Sequence, residues 1–135
     1  MSGELIGEFR GKITGYRITE ILMNGPKSEI SFKQTGKLLG VECMDRATYW
    51  GVMSGPDSLY GEGQGAIMSI SGEMAMYRGT GTMKMVKGEK MPVWRGVLYF
   101  QSQTPKLSAL NGKAIVYEYE IDENENTHVK LWDWK

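Results

Sequence analysis

The side chains of this chain that could do chemistry together are charged and amide groups at strand spacing. Glu62 and Gln64 alternate with Gly61, Gly63 and Gly65. In an extended strand this puts the glycines on one face and Tyr60, Glu62 and Gln64 on the other. The next segment repeats the theme: Gly79 and Gly81 share a face, and Arg78 takes the opposite one. Further on, Arg95, Tyr99, Gln101 and Gln103 share a parity, as do Glu118 and Glu120. If the sheet closes on itself with its glycines outward, a polar cluster forms inside. The candidate ligand-binding set is then Tyr60, Glu62, Gln64, Arg78, Arg95, Tyr99, Gln101 and Glu118. Charges buried there would have to pair, because an unpaired one costs several kcal/mol. Such a cluster orients a polar ligand group, and a perturbed carboxylate within it can donate or accept a proton. If the glycines point inward, the same residues are exposed cross-strand pairs, each contributing about 1 kcal/mol or less. Parity leaves both arrangements open, since Trp94, Leu98 and Phe100 oppose Val97 and Tyr99 on an equally apolar second face.

Other chemistries lack their residues. The single cysteine, Cys43, forms no internal disulfide, and with the single histidine, His128, it falls short of a zinc site. Cys43 lies in an apolar stretch and reads as a small buried hydrophobe. His128 follows an acidic loop and is expected to face solvent. No nucleophile elbow, His-Glu-x-x-His or phosphate loop is present. The alternating glycines are no dinucleotide fingerprint, since no helix follows them. The acidic run 122–126 lacks the glycine and distal glutamate of a calcium loop. No metal or cofactor is therefore expected. Sixteen basic residues balance sixteen acidic ones, which gives no electrostatic case for nucleic acid or an anionic membrane. No apolar run reaches the roughly 18 residues of a spanning helix, and the first residues lack a signal peptide's apolar core. The expected compartment is the cytoplasm.

The elements that must position these groups are strands. The dominant period is two, and β-branched residues fill segments such as 13–22. Strands are expected over 13–22, 28–35, 38–44, 47–53, 59–70, 73–85, 93–103, 114–121 and 128–134. Turns are expected at Asn24-Gly25-Pro26, Gly55-Pro56-Asp57, Ser71-Gly72 and Lys87-Gly88-Glu89. Thr104-Pro105 reads as a helix start, with a short helix over 106–110 ended by Asn111-Gly112. With no linker, residues 1–135 read as one domain. Strands spaced about ten residues apart point to an antiparallel barrel or sandwich. Trp132 and Trp134 suit a paired C-terminal strand, and closure gives that strand a partner on each side.

Glycine accounts for 18 of 135 residues, and three in alternation need a reason, because glycine weakens a strand. Curvature is one reason. Room for Trp94 or Trp132 to lie against bare backbone is a second, and a ligand approaching the backbone is a third. Strands that are apolar on both faces also suggest a partly covered exterior and a homo-oligomer.

Tyr60-Gly61-Glu62-Gly63-Gln64-Gly65, Trp94-Arg95-Gly96, Leu110-Asn111-Gly112 and Lys130-Leu131-Trp132-Asp133-Trp134-Lys135 together resemble small uncharacterised bacterial and archaeal barrel proteins. That group is similar to allene oxide cyclases and the lipocalin-like calycins. The resemblance implies a barrel and transfers no catalytic residue. The fold class expected is all-β: one antiparallel β-barrel of eight or nine strands, with a short helix before the last hairpin. The leading function is a module that binds a small amphipathic or hydrophobic molecule in the barrel. A cofactor-free isomerase or cyclase using Glu62 or an arginine, and a filled, homo-oligomeric interaction module, are the alternatives.

Overall fold

The structure, a computed structural model, describes residues 3–85, 88 and 91–134. Eight strands follow in order: β1 Leu5–Leu22, β2 Gly25–Leu38, β3 Val41–Gly55, β4 Ser58–Met68, β5 Met74–Lys84, β6 Val93–Gln101, β7 Ala114–Ile121 and β8 Asn126–Asp133. Each pairs antiparallel with the next, and β8 returns to β1, so the sheet is a closed barrel. The all-β barrel read from the sequence is what the chain forms.

The differences are local. Residues 38–44 and 47–53 do not hold two strands: Val41–Gly55 runs straight through Asp45-Arg46, so there are eight strands among the described residues. β1 begins at Leu5, because Gly7, Phe9, Gly11 and Ile13 keep inward parity well before residue 13. The expected helix is a single 3-10 turn, Ser108–Leu110. The Thr104 hydroxyl does not cap it. That oxygen accepts from the Met74 amide instead, at 3.1 Å. The turn still has a packing role, since Leu107 and Leu110 are fully buried and close one end of the barrel. Gly72 takes a positive φ of 94° in the 71–72 turn. Of the 87–89 turn, Lys87 and Glu89 lie outside the described residues, as do the first two residues and Lys135.

Cross-strand register settles the open question of facing. Cys43, Asp45, Ala47 and Tyr49 share the inner face of β3, and Asp45, Ala47, Tyr49 and Gly51 stand opposite Ile67, Gly65, Gly63 and Gly61 of β4. The glycine stripe therefore points inward. A Cβ on Gly61 would stand 3.2 Å from the Trp94 ring, and one on Gly65 would fall on the Tyr77 ring. One on Gly81 would fall on the Tyr117 hydroxyl. Gly65 and Gly81 are bare because tyrosine side chains occupy the space, and Gly61 because the Trp50 carbonyl, 2.6 Å from such a Cβ, and the Trp94 ring do so together. Gly36 and Gly96 serve curvature: a Cβ there would strike the carbonyls of Glu8 and Thr80 on neighbouring strands. Trp132 takes an outward, half-buried position on β8, away from the inward glycine stripe.

Candidate functional site

Because the glycines face inward, the polar residues between them face out. Glu62, Gln64, Arg78, Arg95, Tyr99 and Gln101 are exposed, and Tyr60 and Glu118 are half-buried at outward positions. None of the eight forms a polar cluster inside the barrel, so Glu62 and the arginines do not supply the interior group that the isomerase reading requires. The structure pairs some of them on the outside. Arg95 Nε donates to Glu118 Oε2 at 3.0 Å, and the Tyr60 hydroxyl donates to Glu62 Oε2 at 2.6 Å. Gln64, Arg78, Tyr99 and Gln101 come together in a broad, shallow outer concavity with Lys33 and Arg46. His128 is not free in solvent either: its Nε2 lies 2.6 Å from Glu8 Oε2 on the outer face. The hydrogen bond from His128 holds the Glu8 carboxyl below its ordinary range.

The barrel interior carries a polar set of its own. Asp45 is only 3% exposed and Gln34 only 2%. The Thr127 hydroxyl donates to Gln34 Oε1 at 2.8 Å, and Gln34 Nε2 donates to Asp45 Oδ2 at 3.0 Å. The Tyr77 hydroxyl reaches both Asp45 oxygens, at 2.8 and 3.1 Å. Among the described residues no cation pairs with Asp45. Burial is the dominant influence and pushes the carboxyl from 3.8 up to about 6, against the hydrogen bonds from Gln34 and Tyr77. Burial likewise drives the Tyr77 phenol well above its ordinary value, reinforced by the Asp45 charge.

This set borders an internal chamber of about 80 Å³. Phe9, Phe32, Tyr49, Tyr77, Trp94, Tyr117 and Tyr119 bring rings to it, and Ile67, Leu98, Val129 and Leu131 bring aliphatic groups. Tyr49 packs against Trp94 at 5.8 Å between centroids, and Phe32 against Tyr119 at 5.4 Å. The hydroxyls of Tyr49 and Tyr119 meet each other at 3.2 Å. Burial pushes the Tyr49 phenol up to about 12, so it stays neutral in ordinary buffers. The chamber can thus take a small, largely apolar body with one polar end against Asp45. Cys43 is buried close by, and its thiol is pushed up chiefly by burial and also by Glu73 and Asp45.

Sequence reasoning missed the interior set, although a signal was present. Asp45 sits at the parity of Cys43, Ala47 and Tyr49, and Gln34 at that of Phe32 and Leu38. Asp45 and Arg46 lie between the two strands expected over 38–44 and 47–53, which the structure joins into one.

No protein-family model matches the chain, and no curated protein matches it. Solved structures do. A conserved protein of unknown function from Rhodopseudomonas palustris is similar with a TM-score of 0.82 at 12% identity, over 98% of this chain and 96% of that one. A protein of unknown function from Clostridium acetobutylicum gives 0.85 at 11% identity, covering 100% of both chains. A β-barrel-like protein from Acinetobacter baumannii gives 0.82 at 12%, over 99% and 96%. At these identities the likeness shows the barrel fold alone. It lends no support to the finer resemblance to allene oxide cyclases or lipocalins.

Proposed function

We propose that the barrel binds a compact small molecule in its internal chamber, with Asp45 and Tyr77 as the polar anchor and the aromatic wall as the apolar seat. One observation carries this reading: a carboxyl 3% exposed borders the chamber and, among the described residues, has neutral partners only. A charge kept there without a cation opposes folding, so its retention points to a task other than stability. The chamber also limits what fits. It measures about 80 Å³, roughly half the ~150 Å³ cavity that accepts benzene. A ligand of a few heavy atoms fits, and a long-chain amphipath does not unless strands part. From the lipocalin-like resemblance only the idea of a ligand inside the barrel remains.

Methyl-detected NMR with a panel of small neutral and charged fragments tests the reading. Shifts concentrated at Ile67, Leu98, Val129 and Leu131 support it. Fragments that perturb only outward methyls such as that of Met76 would overturn it.

A second reading, a near-filled barrel that associates with its own copies, rests on the exposed side chains of Met68, Ile70, Met74 and Met76 around one hairpin. Sedimentation showing a monomer at micromolar concentration would remove it.

A further inference from the structure

The chamber's chemistry narrows the class of ligand. Asp45 offers two oxygens, and an ionised carboxylate has about four acceptor positions. Among the described residues two protein protons serve them, one from Gln34 Nε2 and one from the Tyr77 hydroxyl shared between both oxygens. Acceptor capacity is left over on a group that borders empty space. The Tyr49 and Tyr119 hydroxyls are engaged with each other, so these residues offer the chamber mainly their rings. Aromatic rings carry a negative face that attracts cations, more strongly when water is excluded. Among the described residues the buried polar ones are Gln34, Asp45, Glu73, Ser102 and Thr127, none of them basic. The lining is thus mainly electron-rich and, among the described residues, holds a negative charge with no cation beside it. An anion would meet at most the spare hydroxyl proton of the Tyr49–Tyr119 pair and the second Gln34 amide proton, against the repulsion of Asp45, whereas a cation would meet a carboxylate and a ring of π-systems.

We propose that the ligand is a compact organic cation, an ammonium carrying a small alkyl group, seated with its N–H groups on the free acceptor positions of Asp45 and its carbons against Phe32, Tyr49 and Trp94. This rests on the chamber being the binding site. The volume of about 80 Å³ suits an ammonium of this size and excludes a lysine-length chain with its backbone. Binding such a cation would also neutralise the charge that the fold leaves unpaired.

The experiment compares isopropylammonium with isopropanol, which match in shape and differ in charge, by NMR titration of the full chain against a potassium chloride background. At pH 8 the ammonium should bind at least tenfold more tightly than the alcohol, with shifts at Val129 and Leu131. At pH 4.5 the ammonium, whose pKa is near that of lysine at ~10.4, is unchanged, while Asp45 is protonated, so the preference should vanish. The other groups facing Asp45 do not confuse this. Gln34 and Thr127 do not titrate, and the Tyr77 phenol and Cys43 thiol are both pushed upward. Glu73, which acts on Cys43 from the closed end, is paired with Lys106. Asp45→Asn should bring the two ligands within about twofold of each other at pH 8. The wild-type pH series asks the same question if that variant does not fold. Equal binding of both ligands at pH 8 would overturn the cation proposal and leave the binding module standing. So would shifts reproduced by potassium chloride alone, or a preference that survives Asp45→Asn. Binding of neither ligand would overturn both.

Discussion

Replacing Asp45 with asparagine should stabilise the protein at neutral pH, and the gain should depend on pH in a defined way. Burial raises the carboxyl from 3.8 to about 6 in the folded barrel. Below pH ~3 the group is protonated whether folded or unfolded, and it costs nothing. Between pH ~4 and ~6 the unfolded chain gives up the proton while the folded chain keeps it, so stability falls as pH rises. Above pH ~6 the group is ionised in both states, and the full cost remains. A shift of about 2.2 units at 1.36 kcal/mol each corresponds to about 3 kcal/mol. Asparagine carries no such charge. Its stability relative to wild type should therefore climb by about 3 kcal/mol between pH 3 and pH 7. Urea unfolding of both proteins across that range measures it, and taking the difference cancels every other titrating group. A difference that stays flat with pH would refute the reasoning. So would one that falls, since that would mean Asp45 is stabilised as an anion by a partner the geometry does not contain.

Gly65→Ala should destabilise by about 2–4 kcal/mol in urea, because its Cβ displaces the Tyr77 ring and breaks the hydrogen bond to Asp45. Leu110→Ala should cost about 2–5 kcal/mol by opening a cavity at the closed end of the barrel. Arg95→Ala, which removes an exposed partner of Glu118, should change stability by no more than about 1 kcal/mol and leave fragment binding in the chamber unchanged. Cys43 should resist iodoacetamide in the native protein and react fully in urea, as its burial and raised thiol require; rapid native alkylation would place it at the surface.

The barrel was legible because period-two patterning and turn residues are local signals. The loops at Asn24-Gly25, Ser71-Gly72 and 122–126 all lie where the chain reverses. Closure was legible from the tryptophan-rich tail, and Trp132 does pair with Leu5 of β1, although Trp134 lies just beyond β8 and is exposed. The site was not legible, because it depends on which face is inside, and one parity error moves every side chain across the sheet. Glycine has no side chain to report its facing. Only the rings of Tyr77, Trp94 and Tyr117, brought from other strands, show that the bare positions are filled from within. Asp45 and Arg46 lie between two strands expected from the sequence, whereas in the barrel one points in and the other out. The Asp45 partners Gln34 and Tyr77, and Thr127, which holds Gln34, come from three other strands, a convergence that no linear spacing encodes.

The most direct measurement is a ¹³C NMR titration of the Asp45 side-chain carboxyl in the folded protein. A midpoint near 6 would establish an ionisable group enclosed by the barrel without a countercharge. A midpoint near the 3.8 of an ordinary aspartate would show a carboxyl open to water or paired, and the chamber would lose its anchor.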